Sequence, residues 1–440
     1  MTNYFRGGDF MQRKTLDRVF GHIDITRDLV MLLVIGGLYA LSIALSNTFV
    51  NVYLWKQSGE FLNLALYNLA AVICQPIAFL LAGRLSKKID RVYVLRIGVA
   101  ILSLFYFSVL FIGGGSIAAI LILGALVGLG LGCYWLAFNV LTFEVTEPDT
   151  RDFFNGFLGL LTSFAGMIGP LAAGVIITVM EKSTGYTVIF TASLLIFIVA
   201  VFLSMTLKKR HAKGRFLVKR ILKEKKVNRA WSRILYAHFF QGLREGTFVF
   251  VIVVWVYTVT NSELALGTYG LVTSATQLIV YYAAGRLIKT KLRKKAILLG
   301  GLILYGAIFL IIFNLTFPKL ILYGILISIA YPMLLVPYIS LTYDVIGKAW
   351  NAGEMRVEYM VVRELYLNSG RIVSVLAFIA AIHFFPEATS IPVLLLVLGA
   401  GHTCIYWFVR PIQFDVRSAT SENGLTAQTE EEGGTGGSNA

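Results

Sequence analysis

"AGRLSKKIDRVYVLRIG" occupies residues 82–98, and "AGRLIKTKLRKKAILLG" occupies residues 284–300. Ala82, Gly83, Arg84, Leu85, Lys87, Arg91 and Gly98 recur as Ala284, Gly285, Arg286, Leu287, Lys289, Arg293 and Gly300. In both copies an apolar run ends at Gly-Arg-Leu, a cluster of Lys and Arg follows, and a new apolar run begins. The rest of the chain says what such a turn is. Of 440 residues, 57% are hydrophobic and 14% charged, with mean hydropathy +0.75; a soluble domain carries about a quarter charged residues. Apolar runs of about 20 residues recur throughout, each long enough to cross a hydrocarbon core as a helix. The runs are continuous rather than alternating, which excludes a β-barrel. Most lack the polar face that a soluble bundle needs. The expected fold class is therefore all-α and integral to a membrane.

Hydropathy predicts twelve spans: 29–55, 61–83, 95–113, 117–143, 154–180 and 186–207 in the first half, and 233–258, 267–288, 296–315, 319–343, 358–384 and 389–410 in the second. Of 39 Lys and Arg, only Lys56, Lys182 and Lys319 fall in loops on one side. This asymmetry is the positive-inside pattern and predicts both termini on the cytoplasmic side of a plasma membrane. The net charge of +15 is thereby assigned to topology, and no nucleic-acid partner is expected. Residues 1–27 read as a charged cytoplasmic leader without the apolar core of a signal peptide. Residues 28–207 and 233–410 read as two six-helix bundles, 208–232 as a basic cytoplasmic linker, and 411–440 as a disordered tail. Phe216, Leu217, Ile221 and Leu222 of the linker can form one stripe against anionic membrane lipids, although a solvated topogenic linker is the simpler reading. Cys74, Cys133 and Cys404 stand singly, and no metal-ligand spacing or nucleotide-binding loop is present, so no metal and no cofactor is expected. A monomer is expected.

The repeat extends beyond the opening stretch. "NVLTFEV" (139–145) is echoed by "ISLTYDV" (339–345), and "TFVNVYLW" from Thr48 by "TFVFVIVVW" from Thr247. Two parallel six-span copies joined by a basic linker resemble the two halves of major facilitator transporters. "GRLSKKIDR" stands where that superfamily carries its signature loop, with Lys87 in the place of the usual acid and Asp90-Arg91 later than usual. "AGMIGPLAAG" (165–174) resembles the antiporter motif, with Gly169 and Pro170 at its centre. "VRELYLNSGRIVS" (362–374) is similar to a transporter branch of Bacillus-type bacteria. The resemblance implies twelve transmembrane helices around a central cavity and a basic loop that latches the halves on the cytoplasmic side. The gating residues expected on this basis are Gly83, Arg84 and Arg91 with Glu144 and Arg151, and Gly285, Arg286 and Arg293 with Asp344 and Arg356. A bistable interface needs such pairs, and here the acid is duplicated in register with the base.

Residues interrupting corresponding spans point to a central site. Span four carries Gly128, Gly130, Gly132, Tyr134, Trp135 and Asn139, while span ten carries Tyr331, Pro332, Pro337 and Tyr338. Close helix packing explains the glycines as readily as a cavity does. Ionisable residues in the hydrocarbon zone are a sharper signal, because each is costly unless paired or hydrated. Counted from Arg233, Arg244 lies about 16 Å along span seven, followed by Glu245 and preceded by Gln241. On span eleven, Glu364, Asn368 and Arg371 fall at i, i+4 and i+7, with Arg371 as deep as Arg244. His238 reads as a histidine hydrogen-bonded in place. Span one adds Asn47 and Asn51. Glu245, and secondarily Glu364, are the expected proton carriers. Arg244, Arg371, Asn368, Gln241, Asn47, Asn51, Tyr134, Trp135, Asn139 and Tyr331 are the expected substrate contacts.

These residues predict a secondary active transporter that exports or exchanges an organic compound, anionic or lipid-linked, with protons as the coupling ion. The surplus positive charge of Arg244, Glu245 and Arg371 favours an anion, since Arg forks suit such groups. A cationic drug/proton antiporter is the alternative within transport. A lipid-modifying enzyme would need paired acids or histidines near a membrane face. A non-transporting receptor would not need Arg244 at mid-depth.

Overall fold

The computed structural model describes residues 26–112, 116–146, 148–180, 182–208 and 214–412. The expected leader and tail lie almost wholly outside the described residues. Within them, twelve helices are long and apolar enough to cross a membrane, and they match the twelve expected spans to within a few residues. Spans one to six are Arg27–Ser58, Phe61–Ser86, Arg91–Phe111, Ile117–Thr142, Phe154–Val179 and Ser183–Ser204; spans seven to twelve are Arg229–Thr260, Glu263–Gly285, Thr290–Ile312, Phe317–Gly347, Arg356–Phe384 and Glu387–Val409. The chain is a multi-pass membrane protein. Its two ends are called here the linker end, where the 208–228 connection lies, and the far end.

The duplication is built into the backbone. Spans one and seven are each 32 residues long. Thr26 opens span one by accepting the Leu29 N–H, and Asn228 opens span seven by accepting the Trp231 N–H. Each side chain satisfies an amide that has no partner within its helix. Both spans stop at a left-handed residue, Gly59 at φ 68° and Asn261 at φ 48°, whose N–H returns to the carbonyl of Trp55 or Tyr257. Glycine and asparagine tolerate that conformation best. Spans two and eight then start within two residues.

The glycines of span four serve packing. A Cβ on Gly124, Gly128 or Gly132 would run into the backbone or Cβ atoms of Tyr67, Ala70, Ala71, Gln75 and Ala78 on span two. Small residues one turn apart thus let the two helices touch. Across the halves, Gly267 and Gly270 of span eight close on Pro170 of span five, and Gly174 closes on Glu263. Phe61 of span two packs on Phe378 of span eleven, and Trp55 of span one on Tyr257 of span seven.

The linker does not present its apolar stripe outward. Val218–Glu224 is a short helix whose Ile221 is fully buried and whose Ile221 carbonyl accepts the Trp231 indole N–H at 3.4 Å. Phe216 covers Gly83, and only Leu217 stays exposed. Docking these side chains on the bundle removes them from water as completely as a lipid surface would.

Candidate functional site

Halfway along their length, spans seven and eleven meet backbone to backbone. A Cβ on Gly242 or Gly246 would strike the carbonyl of Leu367 or Arg371, and one on Gly370 would strike that of Phe239. Thr247 Oγ1 and Ser374 Oγ bond across the same seam at 2.8 Å. This close approach brings Glu245 to Arg371, the sixteenth residue of span eleven. Arg371 Nη2 donates to Glu245 Oε2 at 2.6 Å. Glu245 Oε1 accepts from Gln241 Nε2 at 2.9 Å and from the Tyr331 hydroxyl of span ten at 3.0 Å.

The chain of polar groups continues along span eleven. Arg371 Nη1 donates to Asn368 Oδ1 at 3.3 Å, and Asn368 Nδ2 donates to the Glu364 carbonyl at 3.0 Å and to Glu364 Oε2 at 3.4 Å. Arg363 pairs with Glu364 at 2.6 Å. Arg244, the sixteenth residue of span seven, stands apart from this chain. It is 6% exposed, and its guanidinium lies over the Phe248 ring at 4.4 Å. His402 of span twelve is fully buried, with Nε2 4.0 Å from Glu245 Oε1 and its ring edge-on to Tyr331. His238 is held by the Ile234 carbonyl and the Tyr338 hydroxyl.

Several residues named from sequence sit elsewhere. Tyr134 is fully buried in the first half, stacked 3.9 Å from Tyr39, with Trp135 edge-on to both rings. With Gly132 pressed on span two, a residue two positions later points to the opposite side of the helix. Tyr134 is therefore a core aromatic rather than a substrate contact, and Trp135 packs with it. Asn51 accepts from Asn68 Nδ2 at 3.3 Å and donates to the Asn47 carbonyl, which ties span one to span two. Asn139 lines a cleft at the linker end with Lys87, Arg91, Glu144, Glu354 and Arg356.

The duplicated bases and acids do pair, but each within its own half. Arg91 meets Glu144 at 2.9 Å and Arg293 meets Asp344 at 2.7 Å, fastening span three to four and nine to ten. The contact between halves at the linker end is a different one. Lys87 reaches Glu358 Oε1 at 3.3 Å and the Glu354 carbonyl at 2.8 Å, and the Leu217 N–H also donates to Glu358. The base that replaces the signature acid thus finds its acid on span eleven. Gly83 fits closely against Val361 and Phe216, whereas its repeat Gly285 faces open space. Arg84 is exposed and forms no ion pair among the described residues. The side chains of Arg151 and Arg286 lie outside the described residues. Gly169 packs on Ala44 within the first half.

Two further features escape sequence reasoning. At the far end Lys56 pairs with Glu263 at 2.7 Å, beneath the rings of Tyr186 and Tyr257. Lys56, one of three cations on that side, was the available signal. His402 follows a break in span twelve between Glu387–Gly399 and Gly401–Val409, and such an interrupted span is a legible marker.

The profile of the Major Facilitator Superfamily matches residues 29–375. The chain is 58% identical over 407 residues to the uncharacterized protein YqgE of Bacillus subtilis (strain 168), covering 92% of this chain and 95% of that one. It is 60% identical over 175 residues to an uncharacterized protein in the sodM 3' region of Geobacillus stearothermophilus, covering 40% of this chain and 82% of that one. Among solved structures, a D-xylose-proton symporter superposes with TM-score 0.67 at 13% identity, covering 89% of this chain and 98% of that one. The human organic anion transporter MFSD10 (TETRAN) superposes with TM-score 0.61 at 16% identity, covering 88% and 100%. With its profile, its relatives and its twelve-helix fold in agreement, the chain belongs to the Major Facilitator Superfamily, whose members are transporters and not enzymes.

Proposed function

We propose that the protein is a proton-coupled secondary transporter of an anionic organic compound, free or lipid-linked, working by alternating access in the cell membrane. Its linker end faces the cytoplasm, as the distribution of Lys and Arg favours. The observation that carries this reading is the Glu245–Arg371 pair, halfway along two spans and braced by Gln241 and Tyr331. Intramembrane ionisable groups mark substrate or proton paths by default. Here a proton on Glu245 releases Arg371 for an anionic group of the compound. Proton and anion then favour each other's binding and travel together. Glu364, joined to Arg371 through Asn368, is the second carboxylate of this relay. Lys87 with Glu358 and Lys56 with Glu263 serve as the clasps of the two ends. The two solved relatives, a proton symporter and an organic anion transporter, lend the reading analogy.

A cationic drug/proton antiporter is the second reading, favoured by Pro170 and its neighbours seated on span eight. In that case cation and proton would compete for Glu245.

The test uses purified protein in liposomes. Glu245→Gln should stop pH-driven accumulation while counterflow persists, and Arg371→Ala should weaken binding about ten- to a hundredfold. If only cationic compounds stabilise the protein against heat, and acid weakens them, the antiporter reading replaces this one.

A further inference from the structure

Five Arg and Glu side chains lie on the inner turns of spans seven and eleven: Arg244, Glu245, Arg363, Glu364 and Arg371. Arg363 with Glu364 and Arg371 with Glu245 neutralise four of them. Arg244 is the fifth, and no carboxylate among the described residues pairs with it. Its Nε and Nη2 are both buried and neither meets an acceptor. Those two groups form one edge of the guanidinium, the edge that gives two parallel bonds to a single oxyanion. Next to it, His402 is fully buried with both ring nitrogens unpartnered. The Tyr323 hydroxyl lies within hydrogen-bonding reach of the guanidinium and Tyr269 within electrostatic reach, but neither brings a charge to neutralise it. On span twelve Gly401 comes against Arg244 Cβ and leaves no side chain in the way.

An unneutralised guanidinium beside an unbonded imidazole is unfavourable in a buried setting. Buried polar groups are normally bonded, and an unbonded set invites a functional explanation. The face of Phe248 compensates only part of the charge.

We propose that the Nε/Nη2 edge of Arg244, with His402 as a further donor, is the seat for one oxyanion group, carboxylate or phosphate, of the transported compound. The proposal rests on the transporter reading and deepens it by separating two tasks. Arg244 anchors the compound at all times, and the Glu245–Arg371 pair answers to the proton. The imidazole donates from whichever nitrogen carries its proton. Glu245, 4.0 Å from His402, restricts the seat to one anionic group, since a second would face the carboxylate.

The test is thermal unfolding of the full-length protein in lipid nanodiscs, titrated with acetate or inorganic phosphate against sodium chloride of equal ionic strength. Wild type should show saturable stabilisation by one of the two, and which one distinguishes carboxylate from phosphate. Arg244→Gln should melt higher than wild type without anion, because an uncompensated charge is removed, and should bind the anion at least about tenfold more weakly. Arg244→Lys keeps the charge but not the fork, so it should retain the wild-type melting point and lose affinity. His402→Gln should lose part of the affinity, and Arg371→Gln, which leaves the Arg244 fork in place, should bind the anion more weakly but still saturably. Unchanged titrations in both Arg244 variants, loss of the response in Arg371→Gln alone, or no wild-type response beyond chloride would overturn the seat. If the anion binds through Arg244 but no organic anion accumulates in liposomes under a proton gradient, the reading of proton-coupled anion transport falls while the seat stands.

Discussion

Glu245 receives three unlike donors, the guanidinium of Arg371, the amide of Gln241 and the hydroxyl of Tyr331, and their removal should grade accordingly. Tyr331→Phe removes one neutral donor and should cost about 1 kcal/mol of stability. Arg371→Leu strands a carboxylate and should cost about 3 kcal/mol. Adding Glu245→Leu to Arg371→Leu should recover most of that loss in thermal unfolding, since an apolar pair can replace a buried ion pair. Counterflow should remain absent in the double variant; its return would reduce the pair to a structural brace. At this scale the sequence exposes Glu245 and Arg371 because a charge inside an apolar run has few innocent explanations. It marks His402 only indirectly, through the Gly399-Ala400-Gly401 interruption of span twelve, because a lone imidazole in a span looks like any core histidine. It misplaces Tyr134, because only the packing of Gly132 on span two decides which way that ring turns.

Among elements, the seam between spans seven and eleven depends on Gly242, Gly246 and Gly370. Gly370→Val should force these helices apart and lower the yield of folded protein, as measured by gel filtration in detergent. The two copies of the basic turn should respond unequally. Gly83→Val pushes on Val361 and Phe216 and should raise the labelling rate of a cysteine introduced at Asn139, in the linker-end cleft, whereas Gly285→Val should leave it unchanged. Equal responses would contradict the asymmetry. The repeat makes the within-half pairs legible, Arg91 with Glu144 and Arg293 with Asp344, along with the matched starts and stops of spans one and seven. It is silent on Lys87 with Glu358, because repetition reports what two halves share and a clasp between them joins parts that differ.

For the whole molecule, hydropathy is enough to count twelve spans, since each must satisfy its own backbone in lipid. Orientation is checked by a cysteine at Leu217, an exposed residue of the linker. It should resist membrane-impermeant reagents in intact cells and react in inverted vesicles; the reverse would turn the protein over. Ion pairs join the halves at both ends, Lys56 with Glu263 and Lys87 with Glu358, so in the proposed alternating-access cycle each opening would separate one pair and spare the other. Span eleven links these events to the site. It runs without a proline from Arg356 to Phe384 and carries Glu358 and Arg371 on one unbroken helix, about 20 Å apart at 1.5 Å per residue. Such a helix is stiff over that length, which suits it to act as a push-rod in the proposed cycle. On the proposed mechanism, a displacement of Arg371 when its carboxylate lets go would be delivered along this helix to the ion pair at Glu358.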